Sequence, residues 1–240
     1  MDLASALDLD DREHVAFVGA GGKKTAMASL VGTAAERGLR VGYTTTTQMP
    51  PPTDLPLVVV QEAELEQTVA SATSPVAFAR ERVDDPDRAA AKVRGHDPSV
   101  LDELFEAEAV DWLLVKADGA RRREFKAPGA HEPVIPSTST HVVPVASVAA
   151  VGEALTTDVV HRPERVADIT GLHVGDTITP EAVGTVLTHP DGGLRNAPAE
   201  ASVIPLVNKA DSETQRRTAR DVLIHALSQT ERCSRGVITS

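Results

Sequence analysis

The sequence is poor in cysteine, in aromatic residues and in lysine, and it carries no excess of positive charge. A single cysteine, Cys233, leaves no partner for an internal disulfide and no thiol set for a structural zinc site. No run of about 18 apolar residues is present, which argues against a membrane-spanning helix. The opening stretch MDLASALDLDDREHVAFVG is acidic where a secretory signal would be basic, so a cytoplasmic protein is expected, with no membrane partner. A formal charge of −11 speaks against a nucleic-acid binder that works by neutralising phosphates. Aromatic residues make up only 2%, yet 41% of the 240 residues are hydrophobic, enough for a soluble acidic globular protein with a real core. There are 6 lysines against 18 arginines in a chain rich in Asp, Glu and Ala, a composition of the salt-adapted, halophilic kind. Five of those six, Lys23, Lys24, Lys116, Lys126 and Lys209, fall in the motifs discussed below; Lys92 does not.

What is present is an alternation of apolar runs with helical patterns, the mark of a parallel sheet with crossover helices. His14–Val18 reads as a buried strand, followed by GAGG and a helix from about Lys24 to Arg37 that Gly38 closes. Further strands are expected at Arg40–Thr45, Leu57–Val60, Val76–Ala79, Val110–Val115, Val142–Val145, Ser202–Val207 and Arg235–Thr239. Helices are expected at Glu62–Ala72, Ser99–Glu108, Pro163–Asp168, Pro180–Leu187 and Glu213–Ser228. The stretch ARRREFKAPGAHEPVIPST reads as a basic, proline-punctuated loop. Neither a repeat nor a low-complexity linker interrupts the chain, so residues 1–240 are expected to form one three-layer α/β domain with a mainly parallel sheet.

Three elements carry the chemistry. Strand, GAGGKKT and helix form the arrangement of a phosphate-binding loop, in which glycines let backbone N–H groups converge on phosphate oxygens and a lysine reaches the terminal phosphates. The loop departs from G-x-x-x-x-G-K-[ST]. Aligned on Gly22 and Lys23 it is short and Lys24 stands where a hydroxyl belongs; aligned on Lys24 and Thr25, Lys23 replaces the glycine before them. The candidate phosphate ligands are therefore Gly19, Ala20, Gly21, Gly22, Lys23, Lys24 and Thr25, against the alternative of a glycine-rich turn with no ligand. Second, Asn208-Lys209-Ala210-Asp211 follows a strand, where an N-K-x-D segment reads guanine, so GTP is favoured over ATP. The alternative is a plain helix start with Asp211 or Ser212 as its cap. Third, LLVKADGAR places Asp118 and Gly119 at a strand end, where Asp118 with Thr25 would hold Mg²⁺, unless the pair is only a turn.

Two clusters suggest a second ligand. Arg121, Arg123 and Lys126 are candidates to clamp an anionic substrate, whereas Arg122 reads as a solvated residue of a basic loop. His131 and Glu132 follow in a Pro-flanked loop, either as an acid–base or metal pair or as a hydrogen-bonded loop pair. His96, His141, His161, His173, His189 and His225 have no metal-ligand spacing.

Taken in order, FVGAGGKKT, TTTTQM, VKADGARRREFKAPGAHEPVIP, VHRPERVADITG and LVNKAD resemble the YqeC family, which is associated with selenium-dependent hydroxylases and selenium cofactor biosynthesis. The resemblance runs from about residue 14 to residue 211. It implies a P-loop NTPase-like fold and a role in preparing a selenium- or molybdenum-dependent hydroxylase. By position, Gly19, Gly21, Gly22, Lys23 and Thr25 match the family loop, Thr44–Thr47, with Thr45 and Thr46 as substrate candidates, match its Thr run, and Asp118 matches its acidic strand end. Lys24 stands where the family often has Thr, and Lys116 where it has Glu.

Together these readings give a Mg²⁺-dependent GTP- or ATP-binding accessory enzyme, with Lys23, Lys24 and Asp118 catalytic, that handles an anionic cofactor precursor for a molybdenum hydroxylase client. The competing readings are a non-hydrolysing nucleotide switch or chaperone, which Lys24 and Lys116 favour, and a small-molecule kinase.

Overall fold

Residues 2–83 and 91–240 are described in the computed structural model. After a short helix α1 (Leu3–Ala6), strand β1 (Glu13–Gly19) leads into helix α2 (Lys23–Glu36) and strand β2 (Val41–Thr45). There follow β3 (Gln48–Met49), β4 (Leu57–Val59), α3 (Glu62–Ser71), β5 (Val76–Ala79), β6 (Glu81–Val83), β7 (Lys92–Arg94), α4 (Pro98–Glu106) and β8 (Trp112–Lys116). The rest of the chain gives β9 (Phe125–Lys126), β10 (His141–Ser147), β11 (Val160–His161), α5 (Pro163–Thr170), α6 (Pro180–Thr188), β12 (Ser202–Val203), β13 (Leu206–Asn208), α7 (Glu213–Ser228) and β14 (Val237–Ile238).

The main sheet has the hydrogen-bonded order β14-β13-β10-β1-β8-β2-β5-β4, with β12 attached to β10. The pairs β13/β14, β10/β13, β2/β8, β2/β5 and β4/β5 are parallel, and helices flank the sheet in a three-layer α/β arrangement consistent with a P-loop-like fold. Such sheets are covered on both faces, which is why β2, β8 and β10 are buried at every residue instead of alternating. The chain divides into two compact units. One comprises Met1–Ala16, Lys24–Gly119 and Val134–His141; the other comprises Phe17–Lys23, Ala120–Pro133 and Val142–Ser240.

In the first unit, α4 buries Val100, Leu101, Leu104 and Phe105, the i, i+1, i+4, i+5 stripe of an amphipathic helix, in a cluster with Phe78, Leu113 and Val115. Trp112 is fully buried, and its indole N–H donates to the Asp10 carbonyl at 2.8 Å, which satisfies the one polar atom of an otherwise apolar side chain. In the second unit, α7 presents Ala219, Val222 and Leu223 to a cluster that includes Val183, Val186 and Leu187 of α6. Gly184 lets these two helices close up, because a Cβ there would sit 2.6 Å from the Val222 carbonyl oxygen. Ser212 caps α7 and forms a reciprocal capping box with Gln215, so this helix starts where the sequence places it.

Two expectations need correction. The strand expected over Ser202–Val207 is broken into β12 and β13, because Pro205 has no N–H to continue a ladder; its carbonyl instead accepts from Val237 N at 2.8 Å. The stretch expected as a basic loop contains β9, which pairs in parallel with β11. A small antiparallel sheet, β3-β7-β6, also appears; strands of two and three residues carry no hydrophobic period to betray them.

Candidate functional site

The glycine loop closes the end of β1 and turns into α2. Gly19, Gly21 and Gly22 have φ of 88°, 76° and 135°, a left-handed course that side chains with a Cβ resist. Space forbids a Cβ as firmly as the dihedrals do. A Cβ on Gly21 would lie 2.4 Å from Ser147 N and 2.5 Å from the Glu124 carbonyl oxygen, and one on Gly22 would lie 1.7 Å from Asn208 Nδ2. Two loop amides are spent on holding this shape, Ala20 N on the Val145 carbonyl at 2.9 Å and Gly21 N on the Arg123 carbonyl at 3.1 Å. Lys23 is buried and its ammonium donates back across the loop to the Gly19 carbonyl. The first-turn amides of α2 are those a helix cannot satisfy within itself, and they begin at Lys23. A loop so shaped offers amides and a lysine to one oxyanion.

Asn208 underpins the loop. Its Nδ2 donates to the Gly21 carbonyl at 3.2 Å, while its Oδ1 accepts from Lys209 N at 2.7 Å and Thr239 Oγ1 at 2.9 Å. With both ends of the amide engaged and 4% exposure, it acts as a strut between β13 and the loop. Lys209 follows with a φ of 64°, and its ammonium meets both Glu124 oxygens at 2.7 Å. Asp211 is exposed.

A second polar cluster lies farther along the segment that holds Gly21. The carboxylate of Glu132 accepts, through the same Oε2, from Lys126 Nζ at 2.9 Å and Arg162 Nη1 at 2.8 Å. In the β9/β11 register, Lys126 stands opposite His161. The imidazole of His161 is pushed down to about 4, first by burial and then by the charges of Arg162, Lys126 and Arg121, against which Glu132 pulls only weakly. At neutral pH it is an uncharged ring facing cations. Arg121 and Arg122 both have positive φ, 47° and 62°, in a turn closed by Arg123 N on the Ala120 carbonyl at 2.9 Å. His131 is exposed and only Glu132 of that pair joins the cluster.

In the first unit, the Thr run is built into the scaffold. Thr44 Oγ1 donates to the Phe78 carbonyl at 2.8 Å, Thr45 Oγ1 to the Lys116 carbonyl at 2.6 Å and Thr46 Oγ1 to the Val134 carbonyl at 2.6 Å. Lys116 is buried, with its ammonium on Thr47 Oγ1 at 3.2 Å and the Gln48 carbonyl at 3.1 Å. Asp118, just past β8, is 1% exposed; Lys24 and Thr25 are exposed on the first turn of α2. Among the described residues, no group of three or more His, Cys, Asp and Glu side chains is disposed to hold a metal ion, and no helix is long and apolar enough to cross a membrane.

A sequence profile of the family described as YqeC protein matches residues 15–164, more than half of the chain. The chain belongs to the YqeC family. It is 33% identical over 215 residues to the uncharacterized protein YqeC of Escherichia coli (strain K12), and the match covers 90% of this chain and 82% of that one. The YqeC profile takes in the glycine loop, Asp118, Lys126, Glu132, His161 and Arg162, and ends before Asn208–Asp211. Sequence reasoning missed His161, Arg162 and Glu124. For Arg162 a signal existed: an arginine directly before the proline that opens a helix puts positive charge where the helix dipole is already positive.

Proposed function

We propose that this YqeC-family chain is a nucleotide-binding accessory protein, GTP being favoured over ATP. The observation that carries this reading is the loop Gly19–Lys23, with three left-handed glycines, a lysine folded over them and a helix start directly behind. Residues 19–25 hold the phosphates, Asn208 braces the loop, and Asp211 and Lys209 meet the base. Mg²⁺, a hard cation, suits the carboxylate of Asp118 and the hydroxyl of Thr25, with phosphate and water supplying its remaining oxygens. Nucleotide turnover drives the handling of an anionic cofactor precursor, and the family resemblance points to the maturation of a selenium- or molybdenum-dependent hydroxylase. Catalysis rests on positioning and charge neutralisation by Lys23, Lys24 and Asp118.

A second reading, a non-hydrolysing switch that delivers a cofactor to a client, is favoured by Lys116. Its ammonium is committed to Thr47 and Gln48, two residues before Asp118, where a water-positioning group would serve hydrolysis. Release of phosphate from GTP by wild type and Asp118→Asn tells the two apart. Mg²⁺-dependent turnover that is abolished in Asp118→Asn supports the enzyme; background turnover with intact binding supports the switch; full activity of the variant sinks the assignment of Asp118.

A further inference from the structure

The cluster beyond the glycine loop has the charge and the strain of a binding site. The charges that act on His161 are mostly positive, those of Arg162, Lys126 and Arg121, while Glu132, the ion-pair partner of Lys126 and Arg162, pulls the other way. These cations gather in a chain whose net charge is −11. The Lys126 side chain is fully buried, so its charge is not dissipated in water.

The backbone repeats the message. Arg162 has a φ of 68° at the N-cap of the eight-residue helix α5, and its side chain makes no capping hydrogen bond there. Pro163 has no N–H, and the amides of Arg165 and Val166 turn back on the Arg162 carbonyl at 3.1 and 3.3 Å. A cation at a helix N-terminus works against the macrodipole, even with Glu164 in the first turn of α5, and a non-glycine residue in the left-handed region carries strain; a bound anion would offset the first. The guanidinium is laid on Gly129, where a Cβ would come 3.0 Å from its carbon, so the fork is packed in place and not waving in solvent. Arg121, in its own left-handed turn, is exposed and able to close over a ligand.

We propose that Arg162, Lys126, His161 and Arg121 form a second oxyanion site, shaped for the dianionic phosphoryl group of a small phosphorylated substrate. A gathering of cations suits a dianion, and planar guanidinium forks match phosphoryl oxygens. His161, an uncharged ring in this setting, supplies one further hydrogen bond. The site lies on the same segment as the glycine loop: Arg123 holds Gly21 and Lys126 is three residues farther, about 10 Å along an extended chain. This deepens the nucleotide reading by naming the class of its partner substrate, and rests on that reading only for the identity of the co-reactant.

The test follows the His161 ring by NMR during titration with inorganic phosphate, ionic strength being held constant with chloride. Phosphate is expected to move the His161 signal saturably and to raise its titration midpoint from about 4 toward the ordinary histidine range. Arg162→Gln should weaken the apparent affinity at least tenfold and the exposed Arg121→Ala severalfold, the latter carrying the test if Arg162→Gln fails to fold. Lys23→Ala should leave the response intact. A signal that does not saturate, an undiminished response in both arginine variants, or loss of the response in Lys23→Ala overturns the proposal. A wild type that binds no nucleotide yet answers phosphate at His161 sinks the nucleotide reading and keeps this one; nucleotide binding with a silent His161 does the reverse.

Discussion

Both units bury ionisable groups, but they treat them differently. In the first, two carboxylates, Glu13 and Asp102, are closed on matching neighbours. Glu13 accepts from Thr140 Oγ1, from Asp10 N at 2.9 Å and lies 2.9 Å from His141 Nδ1; burial alone would raise its pKa, and these contacts hold it below the ordinary value. Asp102 likewise overcomes burial through four hydrogen bonds from Ser137 and Thr138, at 2.7–3.0 Å. Among its described non-glycine residues, positive φ falls on Asp8 and Glu108, each just beyond a helix end, where the left-handed conformation is a common terminator. In the second unit, Lys126 and Arg162 share one carboxylate, Glu132, with Arg121 a further charge acting on His161, and Arg121, Arg122 and Arg162 take left-handed backbone at a turn and a helix entry. Carboxylates closed on hydroxyl and amide donors serve as scaffold; cations crowded about an uncharged ring, with strained backbone beside them, suit something that binds.

The comparison breaks most readily at Glu132. In Glu132→Ala the buried Lys126 and Arg162 lose the carboxylate they share, and urea denaturation should report a loss of about 3 kcal/mol, part of which added phosphate restores. A full loss that phosphate does not touch would make this cluster scaffold like the other.

A smaller effect belongs to His14 in the first unit, fully buried and pushed down to about 3 by burial, with Asp102 pulling the other way. Its pKa is lower folded than unfolded, so the unfolded chain binds the extra proton below pH 6.5 and stability falls as the pH falls. From pH 8 to pH 5 His14 alone should cost about 2 kcal/mol, the likewise depressed His161 adding to the slope, and His14→Leu should remove the share of His14; an unchanged slope would place the acid-sensitive group elsewhere. Glu13 and Asp102, depressed in the fold, add their losses only at lower pH, where the unfolded carboxylates protonate first.

The smallest effect is a gain. Arg122 is exposed, left-handed and without a role in either cluster, so Arg122→Gly relieves strain and should stabilise by about 0.5 kcal/mol with no change in phosphate response at His161. Loss of that response would enlist Arg122 as a ligand.

Much of this was legible in the sequence. Long elements announce themselves: HVAFV is a strand buried throughout, and α7 spans Glu213–Ser228 as its periodicity and capping residues require. The glycine loop was legible for the same local reason, since only glycine tolerates that course. The break at Pro205 and the β9/β11 pair were not, because a two-residue strand exists only through its partner. Within the candidate site, N-K-x-D drew attention to Asn208, but its role as a strut depends on Gly21 and Thr239, which lie far away in sequence. His161 read as a lone histidine for the same reason: beside its neighbour Arg162, the charges that act on it come from Lys126 and Arg121, more than thirty positions earlier.

The central claim is that the glycine loop takes the phosphates of a nucleotide. Equilibrium binding of labelled GTP and ATP, with and without Mg²⁺, to the wild type and to Lys23→Ala and Asp211→Ala tests it most directly. The account predicts Mg²⁺-dependent binding with GTP ahead of ATP, lost in Lys23→Ala, and a GTP preference that disappears in Asp211→Ala. Binding of neither nucleotide to the folded wild type, or binding that survives Lys23→Ala undiminished, would contradict it.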